Sequence, residues 1–327
     1  MMITLENGPA KLAKRAQNSG VLGDKVFRGT AFFFAAMVLA VLFGIMLLLL
    51  KEAWPTFAHF GFGFFYHSEW DVVNEKFGAL VPIVGTLVTS LVAIVIGVPV
   101  SFGIAIFITL MAPNWMKRPV GIAIELLAAV PSIIYGMWGL FYFAPWFANT
   151  MQPLMTDTLG NVPLIGPFFQ GPPIGVSIFT AGVVLAIMII PFIASVMRDM
   201  FEVVPTELKE SAYAMGSTTW EVVWKVILPY TKAGVIGGIM LGLGRALGET
   251  MAVAFVVGNS LELNTGLFYP GATIASTMAN EFNEASGLHM SSLIALALIL
   301  FIITFIVLSI AKWFLLRLEK VQEGSKT

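Results

Sequence analysis

Two residues that carry charge at neutral pH, Arg245 and Glu249, lie within the otherwise uncharged run Gly234–Val257, in the segment Gly-Arg-Ala-Leu-Gly-Glu-Thr250. A charge near the centre of a bilayer costs about 2.5 to 3.5 kcal/mol, so such residues face a bundle interior or a watery path. A guanidinium is permanently charged and presents planar, paired donors that match an oxyanion. Phosphate is the natural ligand for such a fork. Four residues apart on one helix, the two side chains share a face and can pair. Glu249 is then expected to hold Arg245 between occupancies, or to act as a gate. The alternative is a buried ion pair that sets helix register, although such pairs often fail to offset their desolvation.

Further candidates lie upstream, where Val130-Pro-Ser-Ile-Ile-Tyr-Gly136 places a proline, a hydroxyl and a glycine at mid-membrane depth. That combination opens a helix backbone toward a cavity. Ser132 and Tyr135 are candidate donors to a passing anion; local backbone bonding and ring packing are their alternative roles. Glu125, one turn into the same run and near its cytoplasmic edge, reads as structural. No nucleophile stands with a base, there is no cysteine, and the three histidines (His59, His67 and His289) fall in expected outer loops. Catalytic residues, a metal centre and a bound cofactor are therefore not expected. The pattern G-x-x-x-x-G-K-[ST] is missing, so any ATP that drives this chain is expected to be hydrolysed on another polypeptide.

The elements that must position these groups are membrane spans. Of 327 residues, 58% are hydrophobic and 11% charged, with mean hydropathy +0.89, the composition of an integral membrane protein. Uncharged or nearly uncharged runs long enough to cross about 30 Å of hydrocarbon extend over Thr30–Leu50, Ala79–Met111, Ile122–Phe147, Val176–Met197, Gly234–Val257 and Ser291–Phe314. The first is too long for the core of a signal peptide and lacks a small-residue cleavage site. The second contains Pro82 and Pro99 and is read as one tilted helix. Basic residues cluster before the first span, between the second and third, between the fourth and fifth, and after the sixth, which predicts both termini to be cytoplasmic. Gly234, Gly238 and Gly242 form one small-residue track for close helix approach, and Gly244 with Gly248 a second.

Between the fourth and fifth spans, Val204-Pro-Thr-Glu-Leu-Lys-Glu-Ser-Ala-Tyr-Ala-Met-Gly216 is polar and is closed by Val226-Ile-Leu-Pro229. It predicts a short helix capped by Thr206, with Glu207 and Glu210 in its opening turns. A turn at Gly216 and a second helical segment follow. Tyr213 and Met215 add apolar surface, and Ala212 and Ala214 are small enough to admit another protein's backbone. Glu210, Ala212 and Gly216, followed by Leu228 and Pro229, resemble the EAA loop of ABC importer permeases. Ser211 and Val226 are mild departures from that motif. The resemblance implies a coupling helix seated in a groove of an ATPase.

Glu125-Leu-Leu-Ala-Ala-Val-Pro-Ser-Ile-Ile-Tyr-Gly-Met-Trp-Gly-Leu140 and Leu243-Gly-Arg-Ala-Leu-Gly-Glu-Thr-Met-Ala-Val253 resemble the PstC-type permease subunits of bacterial phosphate importers. The implied fold is all-α and integral to the inner membrane: six transmembrane helices in a MetI-like, type I bundle with a cytoplasmic coupling helix. Expected boundaries are a tail over 1–29, a permease domain over 30–316 with its coupling loop at about 198–233, and a tail over 317–327. The resemblance further implies a PstA-like second permease, a PstB-like ATPase dimer that uses ATP, and a PstS-like phosphate-binding protein. A PhoU-like adaptor and a sensor kinase are implied as readers of phosphate supply; lipid is the surrounding partner and nucleic acid is not expected. Arg245 and Glu249 match family residues regarded as important for uptake. Rival readings are a permease for sulfate or molybdate, a secondary transporter that works without nucleotide, and a membrane anchor for signalling.

Overall fold

The computed structural model describes residues 8–324, with side chains described over 23–313 and at 316 and 317. Contacts divide the chain between Glu52 and Ala53. The first unit is most of helix α1 (Gly8–Phe60), whose most apolar stretch has no buried residue. A helix that is greasy on every side needs lipid or another chain around it.

In the second unit, α2 (Leu80–Ile106) runs unbroken through Pro99 into a π-helical turn, followed by α3 (Asn114–Ala128). After a break come α4 (Ser132–Trp138), α5 (Ala144–Trp146) and α6 (Gln152–Leu159), joined by π-helical turns. α7 (Ile178–Glu202) leads to the short α8 (Thr206–Ala214) and α9 (Thr219–Val222), then α10 (Leu228–Leu247) and α11 (Met251–Val256). α12 (Ile274–Glu281) and α13 (Gly287–Gly324) complete the order. No strand occurs among the described residues beyond two isolated bridges.

α7 is the axis of this unit. Val184, Leu185, Met188, Ile189, Ile193, Met197 and Phe201 recur at helical spacing and are all at most 1% exposed. In a bilayer no hydrophobic force brings helices together, so close packing must do it, and α2 offers α7 a face of small residues. Gly97 is one of them: a Cβ there would stand 3.2 Å from Ile189 Cγ1. Thr86, Thr89 and Ser101 turn their hydroxyls back onto carbonyls one turn earlier, which keeps polar atoms bonded on that face. Ser101 Oγ also donates across to the Ile190 carbonyl at 3.1 Å. The expected glycine track does the same for α10, since Gly238 and Gly242 face Val196 and Ile193 of α7 and Gly234 faces Met200.

Five helices are long and apolar enough to cross a membrane, and six spans result when the bent pair α3 and the 132–159 segment counts as one. Three expectations change in detail. The third span is not straight but turns by 88° between Ala128 and Ser132, because Pro131 offers no N–H and disfavours helical backbone at Val130. The fifth does not run to Val257: α10 stops at Leu247 and α11 restarts at Met251. The second glycine track is consequently not a packing track, as Gly244 meets only Leu308 at ordinary distance and Gly248 only its own helix.

Where α1 meets α13, Thr56 Oγ1 donates to Ser291 Oγ at 2.8 Å and lies 3.2 Å from Ser292 Oγ, all three residues being buried. His289 was expected in a loop; it lies on α13, is 8% exposed, and stacks on Phe77. Its Nε2 and the Trp70 indole N–H share one oxygen of Glu281, at 2.7 and 2.9 Å.

Candidate functional site

The two breaks in the spans face each other. After Ala128 the backbone leaves the helix, Pro131 sets the turn, and α4 starts at Ser132. The Tyr135 hydroxyl reaches back over the turn and donates to the Leu127 carbonyl at 2.9 Å, beside the 3.3 Å bond which that carbonyl accepts from the Val130 amide. One residue further, Gly136 lies against α11: a Cβ there would sit 2.9 Å from Ala252 Cα and 3.0 Å from the Phe255 ring. Gly139 makes a second such approach to Val184 and Val256. At Gly136 the space is filled in part by the Ala252 backbone, and at Gly139 by the branched side chains of two valines.

The second break is made differently. Gly248 ends α10, and the Glu249 carboxylate then accepts from the Ala252 amide at 3.2 Å, capping the first turn of α11. Glu249 therefore does not continue the helix that carries Arg245. The expected pair at helical spacing is not formed, and among the described residues no ion pair joins the two. Arg245 instead sits at the last turn of α10, exposed in the isolated chain, with its guanidinium carbon 5.8 Å from the centroid of the Phe192 ring on α7. Arg245 and Phe192 thus link α10 to α7 at this place. Ser132 is half-buried at the start of α4, and among the described residues its hydroxyl has no hydrogen-bond partner. No group of metal-ligating side chains occurs among the described residues.

At the other end of α10 the polar interruption folds as the expected helix, turn and helix. Pro205, rather than Thr206, occupies the position before α8, and no side chain caps it. The helix closes with Gly216 at φ +87°, where the Gly216 and Ser217 amides donate to the Tyr213 and Ala212 carbonyls at 2.9 and 3.1 Å. This paired closure requires a left-handed residue, which glycine adopts without strain. Thr218 and Glu221 then cap α9 reciprocally.

Of the residues expected to couple, Glu210, Gly216 and Pro229 are exposed and Leu228 is half-buried. Ala212 is 5% exposed and packs into the chain's own core, so its small side chain serves the inward face of α8 instead of admitting another backbone. The outward face carries Leu208, Tyr213 and Met215, the last 81% exposed. Trp220 and Trp224 extend the patch, edge to face at 5.3 Å. Sequence reasoning passed over these tryptophans, although an aromatic pair at four-residue spacing beside a polar loop was a usable signal.

Residues 97–320 match the family described as binding-protein-dependent transport system inner membrane component. Two solved structures share the fold alone: the MetNI methionine ABC transporter, 16% identical with a TM-score of 0.53 over 72% of this chain and 94% of that chain, and a bacterial ABC transporter involved in the import of the polysaccharide alginate, 14% identical with a TM-score of 0.54 over 94% and 99%. The chain belongs to this family of ABC-importer membrane components.

Its relatives narrow the place within that family. The phosphate transport system permease protein PstC of Pasteurella multocida is 60% identical over 93% of this chain and 94% of its own. PstC of Haemophilus influenzae is 54% identical over 91% and 95%, and PstC of Mesorhizobium japonicum 51% over 91% of each. The chain is a PstC-type permease, a transport component of the inner membrane.

Proposed function

We infer that this chain forms half of the translocation path of an ATP-driven importer of inorganic phosphate. The observation that carries this reading is the 60% identity to a phosphate permease across 93% of the chain. The site chemistry agrees with it. Arg245 is not neutralised by Glu249, whose carboxylate is turned to a backbone amide, so the guanidinium is left to an oxyanion, with only an aromatic ring beside it. Ser132 is the further donor on this path, and Tyr135 becomes one when its bond to the Leu127 carbonyl opens.

Hydrolysis of ATP is assigned to a separate PstB-like ATPase dimer, since the chain lacks a phosphate-cradling loop. That dimer grips the patch around Glu210, Gly216 and Met215, while Ala212, Leu228 and Pro229 fix α8 and α10 beneath it. A PstA-like permease completes the path, and a PstS-like protein delivers phosphate to the outer segments. The basic residues put both termini in the cytoplasm. A PhoU-like adaptor and a sensor kinase read the state of the complex. Closure of the ATPase pair moves α8, and Arg245 then meets phosphate from one side of the membrane and releases it to the other.

The test is uptake of labelled phosphate into proteoliposomes holding the co-purified complex, with sulfate and molybdate as competitors. Uptake that requires ATP and resists both anions is expected. Competition by either anion would move the substrate to that anion, and uptake without ATP would make the chain a secondary transporter.

A further inference from the structure

The coupling patch and the Arg245 break are separated by the stretch of α7 from Phe192 to Glu202, and one polar tie crosses from α7 to the gate side. Arg198, on the last turn of α7, donates through Nη2 to Glu125 Oε1 on α3 at 2.8 Å. The same guanidinium donates to Asp199 at 2.9 Å and lies 3.8 Å from Glu202. Its side chain is 17% exposed, against 55% for Glu125, so the arginine is clamped while the carboxylate reaches out of water to meet it. Gly121 completes the seat: a Cβ there would collide with Arg198 Nη1. Among the described residues this is the only side-chain hydrogen bond between α3 and α7. The remaining contact near it is apolar, Ile108, Ile124 and Ala194 with Ile104 and Val120, and apolar surfaces slide over one another more readily than a charge-assisted bond stretches.

The two ends of this tie are placed to transmit movement. Arg198 stands four residues before Glu202, where α7 ends and the chain turns through Val203–Pro205 into the coupling helix α8. Glu125 stands three residues before Ala128, where α3 gives way to the Pro131 break. Past that break the Tyr135 clasp and the Gly136 contact lead directly to Ala252 and its cap, Glu249. The pair also borders a cleft of about 480 Å3 open to water, which lets it part and re-form.

We propose that Arg198 and Glu125 are positioning residues, the joint through which displacement of the coupling helix is passed to the broken helix at the gate. The joint rests on the transport reading above, and the experiment separates the two. In the reconstituted complex, phosphate uptake and ATP hydrolysis are measured together for the wild type, Glu125→Gln and Glu125→Asp. Glu125→Gln is expected to lower phosphate moved per ATP about tenfold, with hydrolysis and the KM for phosphate within about twofold of wild type; Glu125→Asp is expected to regain about half of the coupling. Because the chain has no cysteine of its own, the pair Glu125→Cys with Arg198→Cys can be rejoined by a short bismaleimide. Coupling that is poor before crosslinking and restored after it is the expected result, and it decides the matter if Glu125→Gln prevents assembly. A Glu125→Gln complex with unchanged phosphate per ATP, or a crosslinked pair that stays uncoupled, overturns the joint. A wild type that shows no ATP-driven phosphate uptake overturns the transport reading instead.

Discussion

The break before α4 and the break before α11 lie in packed neighbours but are built from opposite materials. The first is imposed by a covalent ring, Pro131, and bends the chain by 88°. The second contains no proline; it comes from a helix that ends at Gly248 and a glutamate that starts the next one. Proline costs helical backbone about 3 kcal/mol, whereas a glycine and a capping carboxylate only shift a balance of about 1 kcal/mol each. The first break is therefore a fixed elbow and the second an adjustable one, and Arg245 is mounted on the adjustable side.

Substitutions at four positions test that contrast. Arg245→Ala should have the largest effect, lowering uptake by about a hundredfold, near 2.7 kcal/mol, because no other guanidinium is placed between the two breaks; uptake within threefold of wild type would remove Arg245 from the path. Gly136→Ala should come next. Its Cβ would meet backbone at 2.9 Å, so a loss of about 1 to 3 kcal/mol is expected, read as a lower Tm of the purified complex; an unchanged Tm would mean that α4 and α11 are not locked together. Glu249→Ala should cost about 1 kcal/mol as a lost cap, whereas Glu249→Gln keeps an acceptor for the Ala252 amide and should leave Tm nearly unchanged. Equal destabilisation by Gln and Ala would show that the carboxylate is held by charge instead. Smallest is Gly248→Ala. With φ −94° and only its own helix within reach, alanine fits, and the change should stay within about 1 kcal/mol. The same glycine-to-alanine change thus reads differently at the two elbows, and similar losses at both would erase the distinction between them.

This asymmetry also explains what could be read in advance. The opening of the backbone at Pro131, though not its sharp bend, the glycine track of α10 and the turn at Gly216 were legible because each depends on one residue's covalent geometry or on regular spacing. The end of α10 at Leu247 was not, since a single glycine in an apolar run is usually carried through and hydropathy continues to Val257. The partner of Glu249 was misjudged for the same reason: a carboxylate four residues from an arginine suggests a pair only while the helix is continuous. Arg198 was invisible as a joint because its neighbours in sequence, Asp199 and Glu202, suggest a solvated helix end. Only the fold brings Glu125 to it, across 73 residues. The inward turn of Ala212 depends likewise on tertiary packing, which a short polar helix does not announce.

One end of the second unit is pinned by buried hydroxyls, at Thr56, Ser291 and Ser292. The joint between α7 and α3 is made of an arginine and three carboxylates that are each more than half exposed. Dissolved ions reach only the second kind of fastening; the distance over which they mask a charge falls from about 10 Å at 0.1 M to about 3 Å at 1 M. A rise in salt around the arginine joint would slacken it while the hydroxyl pin holds. The efficiency of transport, unlike the assembly of the permease, would then follow the salt on that one face of the membrane.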